Sequence, residues 1–366
     1  MKIHIDASRA LDPQPTGVNI YAQEIIDHLV SLDSGDEIIL YAPAWSRGRE
    51  KIVFPELKNA TWKFLTWPPK FLWTQICLAF AWARADKRDA VFFAPAHVAP
   101  FFSPRNLVVV IHDIAFEFLP GAFSARERLF ARAMTRMNAY AAKKIIVPSN
   151  ETKKQLVQVL KIAPEKIFVT PFALPCSTRV HAEATPISRS PFILSIGRIE
   201  YKKGVDILVR AFDQLRAGGS EIELVLVGKP GIGYEQIKKN IDASPFRKYI
   251  HELGFVSDAE LAGLYGAARV LALPTRYEGF GFNFLEGMAR GVPVVGMDRG
   301  SVGEVVGDGA LIAETENEFS KMLADVISND ELRLSLAIRG GEQVKKFSWK
   351  KTAEGTLDIF AKSCYK

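Results

Sequence analysis

Short apolar runs alternate with amphipathic stretches along most of the chain. In the first half the runs "KIHID", "EIILYA", "AVFFA", "LVVVIHD" and "KIIVPS" are rich in β-branched and aromatic residues. Their apolar residues do not alternate with polar ones, so both faces of each predicted strand are expected to be buried. Helical periodicity fills the gaps near residues 18–32, 71–84, 124–142 and 151–161. The pattern predicts a parallel sheet with helices on both faces.

The alternation stops at a proline-rich stretch and then starts again. Residues 176–190 are predicted to be a linker. Beyond them the runs "FILSIG", "IELVLVG", "YIHELG", "VLALP", "VPVVG" and "ALI" alternate with helical patterns near 204–215, 234–241, 259–267 and 281–290. A last helix is expected near 350–362. We therefore predict an α/β protein of two Rossmann-like, doubly wound domains, with residues 1–175 plus 350–366 in the first and 191–349 in the second.

Composition supports two folded domains. A chain of 366 residues is long for one core, and 48% hydrophobic with 24% charged residues is typical of a folded protein. Three widely spaced cysteines, Cys77, Cys176 and Cys364, argue against a disulfide framework or a zinc cluster and fit a reducing cytoplasm. Because "MKIHIDASRA" enters a strand at once, we expect no signal peptide and a cytoplasmic location.

One apolar window and an excess of basic residues raise the question of a membrane. The window "FLWTQICLAFAWA" covers residues 71–83, which is short of the roughly 20 residues that a membrane-spanning helix needs. It is predicted to be either a buried helix or an interfacial helix, the second favoured by tryptophans at 62, 67, 73 and 82. The formal net charge is +6, and one predicted helical stretch carries Arg126, Arg128, Arg132, Arg136, Lys143 and Lys144.

Such a basic half indicates either a solvated face or an anionic partner. A membrane surface, a lipid phosphate and nucleic acid would all fit the charge. Since no nucleic-acid-binding motif accompanies the sequence pI of about 9.0, we predict no nucleic-acid partner. Peripheral contact with a membrane through this half, including residues 61–88, stays open.

The ends of the predicted strands carry the candidate chemistry, because ligands of doubly wound sheets bind there. "GRIEYKKG", residues 197–204, places Arg198 and Lys203 across a turn that Gly204 closes. A forked guanidinium and a compact ammonium together suit a diphosphate. The alternative is two solvated cations.

The stretch "YEGFGFNFLEG" follows another predicted strand. Glu278 and Glu286 are separated by seven residues, and the glycines between them precede a helix that is predicted to begin near Gly281. A helix N-terminus is an anion site because its first N–H groups have no partner within the helix. Carboxylates on either side would accept hydrogen bonds from sugar hydroxyls. The alternative is one capping and one surface glutamate.

The first domain offers fewer candidates. His112 follows "LVVVI", and Gly17 lies in the turn "PTGVNIY" before a helix, whereas His97 in "APAHVAP" is a less favoured candidate. An Asp-x-Asp pair and a Walker lysine motif are both missing from the sequence, so we expect neither a metal ion nor another cofactor. "GKPGIG" has the spacing G-x-x-G-x-G, which does not match a dinucleotide-binding turn.

The combination resembles a known family. "GRIEYKKG", "YEGFGFNFLEGMARGVPVV" and "GSVGEVVGDGAL", in this order, look like the retaining glycosyltransferases of family 4, which have the GT-B fold. The pair Glu278 and Glu286 matches that family's E-x7-E element. "HDIAFEFLPGAF" and "DASRALDPQPTGVNIYAQEI" look like bacterial members that extend surface polysaccharides, several of them mannosyltransferases. The chain departs from the common pattern at Phe282–Asn283, Gly287 and Gly303, which puts the sugar pocket in question more than the activity.

The resemblance implies a role for each matching residue. Arg198 and Lys203 would hold the donor diphosphate, Glu286 the ribose, and Glu278 the donor sugar. The base would lie near Gly254, Phe255 and Val256. The amides around Gly279, Phe280, Gly281 and Phe282 would meet the distal phosphate, Gly17 would let its loop approach the donor phosphate, and His112 would contact the transferred sugar. Glu278, His112, Arg198 and Lys203 are thus the predicted catalytic set.

The implied activity is the metal-independent, retaining transfer of a hexose from a nucleotide-sugar to a glycan or lipid-linked acceptor. Within the family, mannose from GDP-mannose is the preferred donor prediction and a UDP-hexose is the alternative. A non-catalytic binder of nucleotide-sugars and an epimerase of the GT-B fold are the competing readings. The location expected is the cytoplasm, with peripheral contact at the inner face of the membrane as a further option.

Overall fold

The computed structural model describes residues 1–13, 15–32, 34–55, 57, 59–66, 72–175 and 190–364. The predicted linker, residues 176–190, lies outside the described residues except for its last position, and so do Trp67 and Cys176. The chain divides into two compact units. Unit 1 comprises residues 1–114, 129–172 and 348–366, and unit 2 comprises residues 115–128 and 173–347.

Unit 1 is built on a seven-stranded parallel sheet. Its strands are Lys2–Asp6 (β1), Glu37–Pro43 (β2), Ala60–Leu65 (β3), Ala90–Ala94 (β4), Leu107–Val110 (β5), Lys144–Val147 (β6) and Ile167–Val169 (β7). Their order is β3-β2-β1-β4-β5-β6-β7, and each neighbouring pair is parallel. The inner strands β4 and β5 are buried along their whole length, as the continuous apolar runs predict.

Unit 2 holds a six-stranded parallel sheet. Its strands are Phe192–Ile196 (β8), Glu223–Val227 (β9), Ile250–Gly254 (β10), Val270–Leu273 (β11), Val294–Met297 (β12) and Leu311–Ala313 (β13), in the order β10-β9-β8-β11-β12-β13. Chain order reverses between β8 and β11. In open α/β sheets the carboxyl ends of the strands at such a reversal form the ligand crevice.

Helices cover both sheets. In chain order they are Gly17–Ser31 (α1), Glu50–Val53 (α2), Ala79–Arg84 (α3), Ala115–Phe118 (α4), Ala125–Ala141 (α5), Asn150–Leu160 (α6), Val205–Ala217 (α7), Tyr234–Ala243 (α8), Asp258–Ala267 (α9), Phe282–Ala289 (α10), Val302–Val306 (α11), Glu316–Ser328 (α12), Asp330–Val344 (α13) and Trp349–Cys364 (α14). Among the helices of the described ranges, none is long and apolar enough to cross a bilayer.

The end of the chain belongs to unit 1. In α14 the Trp349 ring lies 5.8 Å from Tyr21 and 6.2 Å from Phe172, and Phe360 packs edge-on against Phe93 at 5.0 Å. The Thr352 hydroxyl lies 2.5 Å from the Pro171 carbonyl. Aromatic packing of this kind buries a large apolar area and fixes α14 on this sheet.

Three local predictions differ from the structure. Lys143 and Lys144 do not lie on the basic helix, because α5 ends at Ala141 and Lys144 begins β6. The segment predicted as one helix at 71–84 is a π-helical turn at Thr74–Leu78 followed by α3. Its tryptophans at 73 and 82 are core residues, so they give no support to an interfacial helix.

Residues 115–128, which the predicted first domain included, group with unit 2. There the Phe118 ring stacks on Tyr277 with a centroid distance of 5.7 Å, and Gly121 lies against the ring of Tyr201. Such contacts are long-range pairings of single side chains, which no periodicity in the sequence indicates.

Candidate active site

The segment after β8 lies against the turn after β9. The Ile199 N–H donates to the Lys229 carbonyl at 2.9 Å, and the Tyr201 N–H donates to the Ile232 carbonyl at 2.9 Å. Gly228 makes this approach possible, since its φ is +144° and a Cβ there would stand 1.9 Å from the Gly197 oxygen. Arg198 and Lys203 are therefore presented at the carboxyl end of the sheet, as predicted.

Lys203 is joined to Glu278 by a short ion pair. Nζ of Lys203 lies 2.6 Å from Oε1 of Glu278, and the side chains are only 26% and 13% exposed. The lysine stem runs over Gly197, where a Cβ would lie 3.5 Å from Lys203 Cε. Because β8 and β11 are neighbours, two residues 75 positions apart meet at the reversal point of the sheet.

The N-terminus of α10 lies beside the same lysine stem. Asn283 donates from Nδ2 to the Ile196 carbonyl at 2.7 Å, and a Cβ on Gly197 would stand 3.4 Å from that nitrogen. Gly281 precedes the helix at φ +91° and offers no side chain as a cap. The partial positive charge of this helix end therefore lies close to the Lys203 stem.

Glu286 has a different partner from Glu278. The Tyr265 hydroxyl donates to Oε2 of Glu286 at 2.9 Å. Burial raises the pKa of Glu286, although the Tyr265 hydrogen bond and the Arg290 charge oppose that shift. A carboxylate held in this way keeps Oε1 as an acceptor for a hydroxyl group. Its predicted contact with ribose stays a prediction.

Arg198 is exposed and borders a pocket of about 420 Å³. Its Nε lies 3.6 Å from Oε2 of Glu200, and the pocket is otherwise lined by residues 230–235. The glycine-rich turn "GKPGIG" therefore contributes to the site although its spacing argued against dinucleotide binding. Its position at the end of β9 was the signal that could have identified it.

The predicted base site follows β10. Gly254 has φ +69° and its carbonyl accepts from the Gly228 N–H at 2.8 Å, while Val256 is half-buried. Phe255 is 77% exposed, and the Lys229 ammonium lies 5.3 Å from its ring centroid. An exposed aromatic ring at a strand end offers a stacking face.

The unit 1 candidates are a buried histidine and an exposed glycine, and their predicted contacts with the donor stay predictions. His112 is buried, and its Nε2 donates to the Pro95 carbonyl at 3.0 Å, while the rings of Tyr21 and Phe172 lie 5.0 and 5.3 Å away. Burial lowers the pKa of His112 to about 4, so the ring is neutral at pH 7. Gly17 is the exposed first residue of α1 and not part of the preceding loop.

Sequence reasoning missed several residues that hold the site together. The Tyr265 and Thr275 hydroxyls contact Glu286 and Glu278. Arg276 and Asn283 donate to the carbonyls of Lys202 and Ile196, which flank the predicted Arg198 and Lys203 in the chain. Asn283 lies within the E-x7-E element, but the sequence gives no local sign of these contacts, because most of the partners lie in distant segments.

Two family models match the chain. The family described as "Glycosyl transferases group 1" matches residues 177–343, and the one described as "Glycosyltransferase Family 4" matches residues 15–175. O-antigen chain mannosyltransferase B of Escherichia coli is 28% identical over 297 residues, which are 76% of each chain. D-inositol 3-phosphate glycosyltransferase of Nocardioides sp. is 29% identical over 251 residues, or 61% of this chain and 54% of that protein.

Solved structures share the fold over nearly the whole chain. Sucrose-phosphate synthase from Thermosynechococcus elongatus superimposes with a TM-score of 0.76 at 16% identity, covering 99% of this chain and 98% of the other. HepE from Anabaena, solved in complex with UDP and glucose, gives 0.75 at 18% identity, covering 99% and 100%. The predicted GT-B fold of two Rossmann-like sheets is confirmed. Since the two family models together account for most of its length, the chain belongs to the family 4 glycosyltransferases and is a hexosyltransferase.

Proposed function

We propose that the enzyme transfers mannose from GDP-mannose, with retention of configuration, to a glycan or lipid-linked acceptor in polysaccharide or glycolipid biosynthesis. The observation that carries this proposal is the Lys203 and Glu278 pair, 2.6 Å apart, beside the N-terminus of α10 at the reversal point of the sheet. The mannosyltransferase relative from Escherichia coli favours mannose. The UDP bound to HepE supports a UDP-hexose as the alternative donor.

The proposed chemistry needs positive charge where the diphosphate leaves. The bond between the anomeric carbon and the phosphate oxygen breaks, its electron pair stays on the diphosphate, and an oxocarbenium-like sugar forms. Lys203, Arg198 and the N-terminus of α10 would stabilise the growing negative charge, so the proposal includes no metal ion. The acceptor hydroxyl would attack the same face, and its proton would pass to the leaving diphosphate.

The two glutamates would orient the donor on either side of this charge. Glu278 stands beside the lysine and would accept a hydrogen bond from a sugar hydroxyl. Glu286, held by the Tyr265 hydroxyl, would accept from the ribose. His112 would contact the transferred sugar as a neutral ring, since burial lowers its pKa to about 4.

A thermal-shift panel with GDP, UDP, ADP and TDP tests the donor class. A nucleotide that binds only the folded state raises the melting temperature by mass action. GDP should give the largest shift, and the shift should shrink in Lys203→Met but not in Lys345→Met, whose ion pair with Glu342 is exposed. A larger shift with UDP would move the proposal to a UDP-hexose, and no shift with any of the four would contradict it.

Transfer itself is tested with GDP-mannose and a mixture of lipid-linked and free glycans. The expected product is a glycoside with the anomeric configuration of the donor, read by NMR. Nucleotide binding without sugar release would favour a non-catalytic binder. A changed nucleotide-sugar formed without an acceptor would favour an epimerase.

The proposal also includes peripheral contact with an anionic membrane through unit 1. An apolar surface, defined by Leu72, Phe80, Phe101 and Phe102, is exposed there, and Phe102 is 88% exposed. The Gln75 side chain joins its two segments, since Nε2 donates to the Ala99 carbonyl at 3.1 Å and Oε1 accepts from the Phe101 N–H at 2.7 Å.

Basic residues near this apolar surface favour an anionic partner. Arg84 lies over the Phe80 ring at 5.4 Å, and Lys87 and Arg105 are exposed nearby in the sequence. Aromatic side chains edged by cations suit the interface of a bilayer with anionic headgroups. The enzyme would then bind a lipid-linked acceptor at the membrane that contains it.

Co-sedimentation with vesicles tests this contact. Wild-type protein should bind vesicles containing phosphatidylglycerol more strongly than vesicles of phosphatidylcholine alone. The double variant Phe101→Ser, Phe102→Ser should lose most of that binding, whereas Ile52→Ser, which removes another exposed apolar side chain of unit 1, should not. Equal sedimentation of all three proteins would rule the surface out.

A further inference from the structure

Arg276 lies where the end of β11 meets the turn that carries Lys203. Its backbone N–H donates to the Lys202 carbonyl at 2.8 Å, and its Nη1 donates to the Tyr201 carbonyl at 2.8 Å. The guanidinium carbon stands 4.1 Å from the centroid of the Tyr201 ring. One residue therefore binds the turn through its backbone, its guanidinium nitrogens and its flat face.

Asp206, in the first turn of α7, fixes the orientation of this guanidinium. Nη1 and Nη2 of Arg276 lie 2.7 and 2.6 Å from the two carboxylate oxygens, and the side chains are 18% and 14% exposed. Burial alone would raise the pKa of Asp206, but the hydrogen bonds and charges of Arg276 and, after it, Arg210 outweigh burial, and the pKa is lowered. The pair is thus charged, planar and shielded from water.

The backbone around Arg276 presses on the same turn. Gly204, which closes the turn, has φ +67°, and a Cβ there would stand 1.9 Å from the Pro274 carbonyl. The buried hydroxyl of Thr275 lies 3.1 Å from the Lys202 carbonyl. Lys203 follows Lys202 directly, and Glu278 comes two residues after Arg276. The separation of Lys203 from Glu278 is therefore set where Arg276 joins the two segments.

We propose that Arg276 is a positioning residue, which keeps the ammonium of Lys203 and the carboxylate of Glu278 in the geometry that the donor requires. This inference rests on the proposed function of that pair. Arg276 acts through the Tyr201–Lys203 turn, because its own side chain is occupied by Asp206 and Tyr201. Arginine is needed because lysine has neither a second nitrogen for the carboxylate nor a planar face for the ring.

A matched control exists in the same network. Arg210 also donates to Asp206, at 3.2 Å, but its other partner is Glu316 on the surface, and it is 49% exposed. Arg210→Ala removes a cation from the same carboxylate without touching the Lys203 turn. Its effect on kcat should stay within twofold.

A double-mutant cycle with Lys203 separates positioning from general stabilisation. Arg276→Ala should lower kcat at least tenfold in the wild-type background and less than threefold in the Lys203→Met background. Arg276→Lys should recover only part of the loss. Equal losses in both backgrounds, or wild-type kcat in Arg276→Ala, would overturn the proposal.

A crystal structure of Arg276→Ala gives a readout that does not depend on turnover. Displacement of Lys203 Nζ from Glu278 Oε1 supports positioning, and an unchanged pair at 2.6 Å overturns it. If wild-type protein bound no nucleoside diphosphate, the proposed function would fall, whereas the crystallographic result would still decide whether Arg276 holds the pair.

Discussion

Replacement of Lys203 by methionine removes one charge and nearly preserves the side-chain volume. The lysine stem would still lie over Gly197, so the change isolates the ammonium. Two effects follow. The carboxylate of Glu278 loses its ion-pair partner in a shielded place, and the leaving diphosphate loses a donor.

The structure sets the size of each effect. A charge-assisted hydrogen bond contributes roughly 1.5–3 kcal/mol to stability, and with side chains 26% and 13% exposed the Lys203 pair should fall in that range. Loss of one preorganised donor to a developing anion costs about 3 kcal/mol in the barrier, so kcat should fall about 100-fold and at least tenfold. The donor KM should also rise, because Glu278 then faces the diphosphate without a neutralising cation.

The assay combines steady-state transfer with urea unfolding. Lys345→Met is the control, because Lys345 and Glu342 are also 2.6 Å apart but 70% and 66% exposed. An exposed pair contributes at most about 1 kcal/mol, so this variant should keep wild-type turnover. Turnover of Lys203→Met within twofold of wild type would refute the assignment of Lys203 to the diphosphate.

Three further outcomes are expected. Glu286→Gln should raise the donor KM more than it lowers kcat, and Tyr265→Phe, which removes the hydroxyl held at 2.9 Å, should show the same trend more weakly in steady-state kinetics. Gly204→Ala should lower the free energy of unfolding of unit 2, measured in urea, by more than about 2 kcal/mol. The reason is that the new Cβ would meet the Pro274 carbonyl at 1.9 Å. The pKa of His112 is about 4 when folded and 6.5 when unfolded, so between these values the unfolded state binds more protons and stability falls with falling pH. His112→Gln should reduce the loss between pH 7 and 5 by about 2 kcal/mol in chemical denaturation, and an unchanged pH dependence would contradict the burial of that ring.

Much of the architecture could be predicted because strands buried on both faces leave a continuous apolar signature. β1, β2, β4, β5 and β6 correspond to runs that the sequence shows plainly. β3 was missed because it lies at the edge of the sheet, where exposed and half-buried side chains alternate and Lys63 interrupts the apolar pattern. β7 was missed because only three residues pair.

The candidate site also has a part that the sequence predicts and a part that it does not. Arg198, Lys203 and Glu278 were predicted because strand ends and glycine turns are local features of the sequence. Contacts between segments were not predicted, since a cation gives no indication of which distant carboxylate it will meet. Lys203 meets Glu278 across 75 residues, and Arg276 meets Asp206 across 70.

The sequence by itself determined two α/β sheets, the strand ends that carry charge, and the family to which those residues belong. These follow from short-range order: the period of apolar residues, the flexibility of glycine and the spacing of a motif. Only the tertiary structure decided that His112 is a buried neutral ring, that residues 115–128 pack with unit 2, and that Arg276 joins the Lys203 turn to the Glu278 segment. Burial and ion pairing depend on which elements become neighbours in space, and the order of strands in the sheet sets those neighbours.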